Sequence, residues 1–163
     1  MICISITFAH LRYCFCISGI SFSTVAKQLG IRTISYERGA NLLKKLGQSD
    51  KVNHTDGLTS YFDVPIIFYD NTLPAECMRF TVAHEIGHII LGHVKPGLLT
   101  TINRDPSYSD NPEETQANQF SARLLTPACV LWALNIRKVS NIEQICQVSR
   151  SGSRVSYGSY ACV

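Results

Sequence analysis

Apolar positions recur along this chain with two different periods, and the changes of period mark its elements. Residues 21–30, SFSTVAKQLG, put Val25, Ala26 and Leu29 on a helical face, with Ser21 or Ser23 able to cap the start and Gly30 to stop it. Residues 31–36, IRTISY, alternate and are β-branched, which predicts a strand. A helical patch at 40–46 ends at Gly47, and the polar residues 48–56 read as a loop. Two strand-like runs follow at 58–62 and 65–69, split by a turn at Asp63 and Val64. With 31–36 they predict a small antiparallel sheet. Asp70, Asn71 and Thr72 break the last run, and Pro74 suits the first turn of a new helix.

That next helix carries the most apolar pattern of the chain, residues 79–93, RFTVAHEIGHIILGH. Val82, Ile86 and Ile89 share one side, and Ala83 and Ile90 widen it, so the helix is apolar nearly all round and belongs at the centre of the fold. Within it His84, Glu85 and His88 form an H-E-x-x-H motif. Residues four apart lie one above the other, so the two imidazoles converge from one face. Glu85 sits about 100° round from His84, on the His88 side, where its carboxylate can flank what the rings hold. This arrangement suits a catalytic Zn²⁺ with the glutamate as general base.

Gly92 weakens the end of this helix and Pro96 with Gly97 stops it. Residues 95–111 are polar and predict a long loop, of the kind that often walls a site. A strong helix start follows: Asn111 as cap, Pro112 in the first position and Glu114 three residues after the cap. The helix runs to Leu125 and is stopped by Thr126 and Pro127.

A catalytic zinc commonly takes three protein ligands. His93 misses the register of the extended H-E-x-x-H-x-x-G-x-x-H pattern, because Leu91 and Val94 stand where that pattern needs Gly and His. A surface role, or one supporting a ligand, fits it better. Glu114 is the better third ligand: it lies on a stripe with Asn118, Ser121 and Leu125, beside the buried face. A capping role would also account for Glu114, and Glu113, about 100° off the stripe, is the alternative ligand. Asn118, one turn on, is placed to hydrogen-bond a ligating histidine. Candidate donors to an oxyanion are Tyr61, Tyr69, Tyr108, Arg79 and His93.

Composition narrows the class. Apolar residues make up 45%, charged residues 17%, and the net charge is +3, as in an ordinary globular chain. Lys and Arg are scattered, and Lys44 with Lys45 reads as a solvated helix face, so direct nucleic-acid binding is not expected. The seven cysteines form no regular framework. Cys77, Cys129 and Cys146 read as small core residues, and Cys14-x-Cys16 lacks metal-site spacing, which favours a reducing, cytoplasmic compartment. The first 22 residues are apolar, but His10 and Arg12 interrupt them and no positive segment precedes them, so neither export nor a membrane span is expected.

These motifs together resemble the ImmA/IrrE-type metallo-endopeptidases. The likeness rests on Arg79-Phe80-Thr81, Ala83-His84-Glu85 and Gly87-His88, on Glu114 with Ala117, Asn118 and Phe120, and on the Leu124-Leu125-Thr126-Pro127 close. Val25-Ala26, Leu29-Gly30-Ile31 and the run 66–69 fit as well, so the resemblance covers about residues 20–148. It implies one Zn²⁺ held by His84, His88 and Glu114, with Glu85 as base. It also implies cytoplasmic proteolysis of helix-turn-helix repressors, on mobile elements or in stress responses. The rival reading is a non-catalytic regulator or toxin–antitoxin component that binds a DNA-binding partner. The expected fold is α+β and zincin-like, a small sheet packed on a central motif helix. Residues 1–148 then form a single metallopeptidase-like domain. Residues 149–163, Ser- and Gly-rich without periodicity, form an irregular tail, and residues 1–19 lack the amphipathic opening helix such proteins carry.

Overall fold

The computed structural model describes residues 21–53, 55–95 and 111–149. The opening segment, Cys14 and Cys16 in it, most of the loop 95–111 with Tyr108, and nearly all of the tail lie outside the described residues.

Helix α1, Phe22–Gln28, buries Phe22, Val25 and Ala26 and ends where Gly30 takes φ 72°. That left-handed residue turns the chain straight into strand β1, Arg32–Ser35. Helix α2, Tyr36–Lys45, begins four residues before the apolar patch at 40–46, because Ser35 caps it by accepting from the Arg38 N–H. A 3₁₀ turn at Ser49–Asn53 interrupts the expected loop. Strands β2, Gly57–Tyr61, and β3, Pro65–Tyr69, then form an antiparallel hairpin with Gly57 opposite Tyr69 and Tyr61 opposite Pro65.

The sheet corrects one expectation. It is mixed rather than antiparallel: β1 runs parallel to β3, Arg32 opposite Ile66 and Ser35 opposite Tyr69, in the order β1-β3-β2. The physical reason is which edge of the hairpin β1 joins. The chain reverses once on its way through α2 into β2, which runs opposite to β1, and again at the hairpin turn. Strand β3 therefore comes back parallel to β1 and lies between the two. Strand β3 is thereby central, and its first four residues are all buried. Ile66 and Phe68 point toward α2, where Leu43 and Leu58 join them, while Ile67 points into the larger core on the other face.

That larger core is built on helix α3, Ala75–Ile90, whose residues from Thr81 to His88 are all buried. Val82, Ala83 and Ile86 pack with Ile67, with α1, and with the helices that follow. Each fully buried Ile or Leu there contributes about 1.5–3 kcal/mol. Pro74 sits one position before the helix, as its N-cap residue. Helix α4, Pro112–Leu125, carries Pro at its first position, and the Asn111 side chain accepts from the Glu113 N–H at 3.0 Å. It lies close along α3. A Cβ added to Gly87 would stand 3.0 Å from Phe120 Cδ1 and 3.4 Å from Ala117 Cα, so the motif's own glycine sets the helix separation.

Helices α5, Ala128–Ala133, and α6, Val139–Cys146, close the core with Val130, Leu131, Ile142 and Cys146. Only Cys146 of the three expected core cysteines is buried. Cys77 and Cys129 are exposed, each in the first turn of its helix ahead of the buried positions. The fold is α+β, a three-stranded sheet against a central motif helix. No helix of the described residues is long and apolar enough to cross a membrane.

Candidate metal centre

His84 and His88 stand one turn apart on α3, 1% and 0% exposed, with their Nε2 atoms 2.9 Å apart. Helix α4 brings Glu114 to the same point. Its Oε2 lies 3.1 Å from His84 Nε2 and its Oε1 3.4 Å from His88 Nε2. One ligand atom from each of the three lies within 4.8 Å of the others, a group able to hold a metal ion. Glu113 takes no part in that group, and its side chain is exposed.

The chemistry of the donor set fits a cation. Asn118 Oδ1 lies 2.9 Å from His84 Nδ1. An amide oxygen can only accept, so the neutral ring keeps its proton on Nδ1 and directs the Nε2 lone pair inward. His88 is fixed from behind in the same sense. Gln116 Oε1 sits 3.1 Å from His93 Nε2, so His93 donates there and offers the lone pair of Nδ1, 3.0 Å away, to the Nδ1–H of His88. With those tautomers two imidazole lone pairs and the Glu114 carboxyl group face one another. A metal ion satisfies all three.

Glu85, 2% exposed, is held on the adjoining side of α3. Thr59 Oγ1 on β2 donates to Glu85 Oε2 at 2.7 Å. Thr59 points that way because it lies opposite Ile67 in the hairpin, on the sheet face toward α3. Nothing in the sequence spacing links residues 59 and 85, and only the hairpin register reveals the pair. Gly57 lies two residues earlier on that face. A Cβ there would collide with Thr81 Cγ2 and stand 3.5 Å from Glu85 Cγ. Gly57→Ala is therefore expected to destabilise the fold by about 1–3 kcal/mol, read as a fall in the urea midpoint at unchanged slope. Nearby, burial pushes the Tyr36 hydroxyl up to about 12, against a smaller opposing effect of its hydrogen bond to Thr55, so it stays protonated at neutral pH.

The oxyanion candidates scatter. Arg79 lies roughly 160° round α3 from the histidine pair, with its guanidinium over the Phe22 ring and 3.4 Å from the Cys146 carbonyl oxygen. Tyr69 lines a pocket with Arg79, Phe22 and Val82 on that far side. His93 sits behind His88, and Tyr108 lies outside the described residues. Tyr61 follows Thr59 on the α3-facing side of β2 and is half-buried. Gln116, which sequence reading missed, has no signal of its own: it is an exposed polar residue among several at the start of α4.

No match is found among curated proteins. A family model described as the IrrE N-terminal-like domain, of the peptidase M78 family, matches residues 26–150, which span the sheet, α3 with its motif and the whole of α4. The matched region covers most of the chain and contains every member of the metal-ligand group, so the chain belongs to the peptidase M78 family of IrrE N-terminal-like domains.

Proposed function

We propose that this chain is a zinc-dependent endopeptidase that cleaves a helix-turn-helix repressor, or a similar regulatory protein, in the cytoplasm. The observation that carries the reading is the convergence of His84 Nε2, His88 Nε2 and the Glu114 carboxylate beside a buried Glu85. Zinc bound there would supply a Lewis acid that makes water nucleophilic near neutral pH and polarises the scissile carbonyl. Glu85 takes the proton of the attacking water and passes it to the leaving amine nitrogen as the C–N bond breaks. Thr59 holds one oxygen of that carboxylate, which fixes its direction. Tyr61 is the oxyanion donor that its place on β2 favours. The resemblance to ImmA/IrrE-type endopeptidases is the support for the regulatory substrate and the cytoplasmic setting.

Elemental mass spectrometry of the purified chain, followed by incubation with a helix-turn-helix repressor with and without chelator, tests this reading. About one zinc per chain and a chelator-sensitive cut in the repressor are expected. A chain that carries no zinc, and takes none up at neutral pH, would falsify it.

A further inference from the structure

The α3 helix ends in a way that determines where His93 goes. Gly92 takes φ 78°, its N–H donates to the Ile89 carbonyl at 3.2 Å, and the His93 N–H donates to the His88 carbonyl at 2.9 Å. This is the paired closure of a Schellman motif, and it folds residue 93 back over the last turn of the helix. The side chain of His93 thereby lies against the ring of His88, with ring centroids 5.1 Å apart and the two Nδ1 atoms at 3.0 Å. From the other side Gln116, on α4, reaches His93 Nε2. The relay therefore runs from α4 through His93 to α3, and those two helices carry the whole metal-ligand group.

We infer that His93 is a positioning residue: backed by Gln116, it holds the proton of His88 on Nδ1 and so keeps the His88 Nε2 lone pair directed at the metal. This rests on the metal reading given above. The part His93 plays is distinct from that of an oxyanion donor, because it meets His88 at Nδ1, away from the edge that faces His84 and Glu114. It also differs from the part of Asn118. Asn118 on α4 meets His84 Nδ1 directly, whereas Gln116 on α4 acts on His88 Nδ1 through an intervening ring whose own tautomer must be set. Without the Gln116 oxygen, the His93 proton can move to Nδ1 and oppose the Nδ1–H of His88. That exchange would leave the inward nitrogen of His88 protonated and unable to bind metal.

The test separates an acceptor from a space-filler. Zinc affinity is measured by competition with a chromophoric chelator for the wild type, His93→Leu and His93→Asn, with the melting temperature of each metal-free protein as a control on folding. Leu keeps bulk but accepts nothing, while the Asn amide oxygen can accept from the His88 Nδ1–H. His93→Leu is expected to weaken zinc binding by about 10–100-fold, His93→Asn to recover most of that loss, and Gln116→Leu to cost less than His93→Leu. A nitrogen-resolved NMR spectrum of the zinc-loaded wild type gives a second readout that needs no variant. The proton between the rings should reside on His88 Nδ1, with His93 protonated at Nε2. Wild-type affinity in His93→Leu, equal weakness in the Leu and Asn variants, or a proton on His93 Nδ1 would each overturn the inference while leaving the zinc reading standing. A wild type that binds no zinc overturns both.

Discussion

Glu114→Ala is expected to strip the chain of its metal, while Glu113→Ala leaves the metal in place. Loss of a partner that only orients a ligand typically weakens a site by about 10–100-fold, and removal of a ligand should exceed that. Glu114 is within reach of both imidazoles, at 3.1 and 3.4 Å, so its loss leaves two nitrogens where three groups converged. The variant should still fold. Asn111 caps α4 by accepting the Glu113 N–H, and the favourable position of an acidic side chain in the first turn contributes at most about 1 kcal/mol. The pair of variants is decisive because the sequence left both glutamates open. Zinc retained by Glu114→Ala and lost from Glu113→Ala would reverse the assignment of the third ligand. Equilibrium dialysis followed by elemental mass spectrometry reads the difference, and chemical denaturation of the metal-free proteins shows that the fold is not its cause.

What could be read from the chain beforehand was local. The motif helix announces itself because apolar residues surround His84 and His88 on every side, and such a stretch has only the centre of the fold to occupy. The start of α4 is equally plain: a capping Asn followed by Pro is a backbone signal that needs no tertiary context. From these two helices alone the meeting of Glu114 and Asn118 with the histidines could be expected. The sense of the sheet could not. Strands β1 and β3 are parallel because β1 joins the hairpin on its β3 edge rather than its β2 edge, a choice no single strand carries. Helix α2 also looked shorter in sequence than it is, since its first turn is polar apart from Tyr36. Thr59 and Gln116 were out of reach for a related reason. Each acquires its partner through the register of a hairpin or the separation of two helices, quantities no single segment carries. Cys77 and Cys129 illustrate the opposite error. Val130 and Leu131 beside Cys129 are buried and Met78 and Phe80 beside Cys77 are half-buried, but each cysteine falls in the first turn of a helix, where the chain is still at the surface.

The close approach of α3 and α4 links the fold to the chemistry. Gly87 and Ala117 allow it, Phe120 fills the remaining space, and Glu114 lies one turn before Ala117 at the level of the two imidazoles. The H-E-x-x-H pattern therefore supplies more than two ligands and a carboxylate. Its internal glycine lets the helix bearing the third ligand come near enough to complete the group.

Glu85→Gln should have the second large effect, and of a different kind. The substitution is nearly isosteric, and the new amide oxygen can still accept from Thr59 Oγ1, which holds the carboxylate at 2.7 Å in the wild type. The variant should therefore fold, keep His84, His88 and Glu114 in register, and bind zinc with nearly the wild-type affinity. What it loses is a group that can take a proton. If Glu85 is the base, repressor cleavage should fall by about 10²–10⁴-fold in kcat, with little change in KM. Thr59→Val gives the graded control. It keeps the base but removes one donor that orients it, so a smaller fall in kcat is expected, again with zinc retained. A Glu85→Gln variant that cleaves at the wild-type rate while zinc-loaded would remove Glu85 from the reaction. The proton would then have to pass through another group, and Tyr61, on the same face of β2, would be the first to replace with Phe. Should zinc be lost from Glu85→Gln instead, the carboxylate would be holding the metal group together, and the separation of ligand set from base would fail.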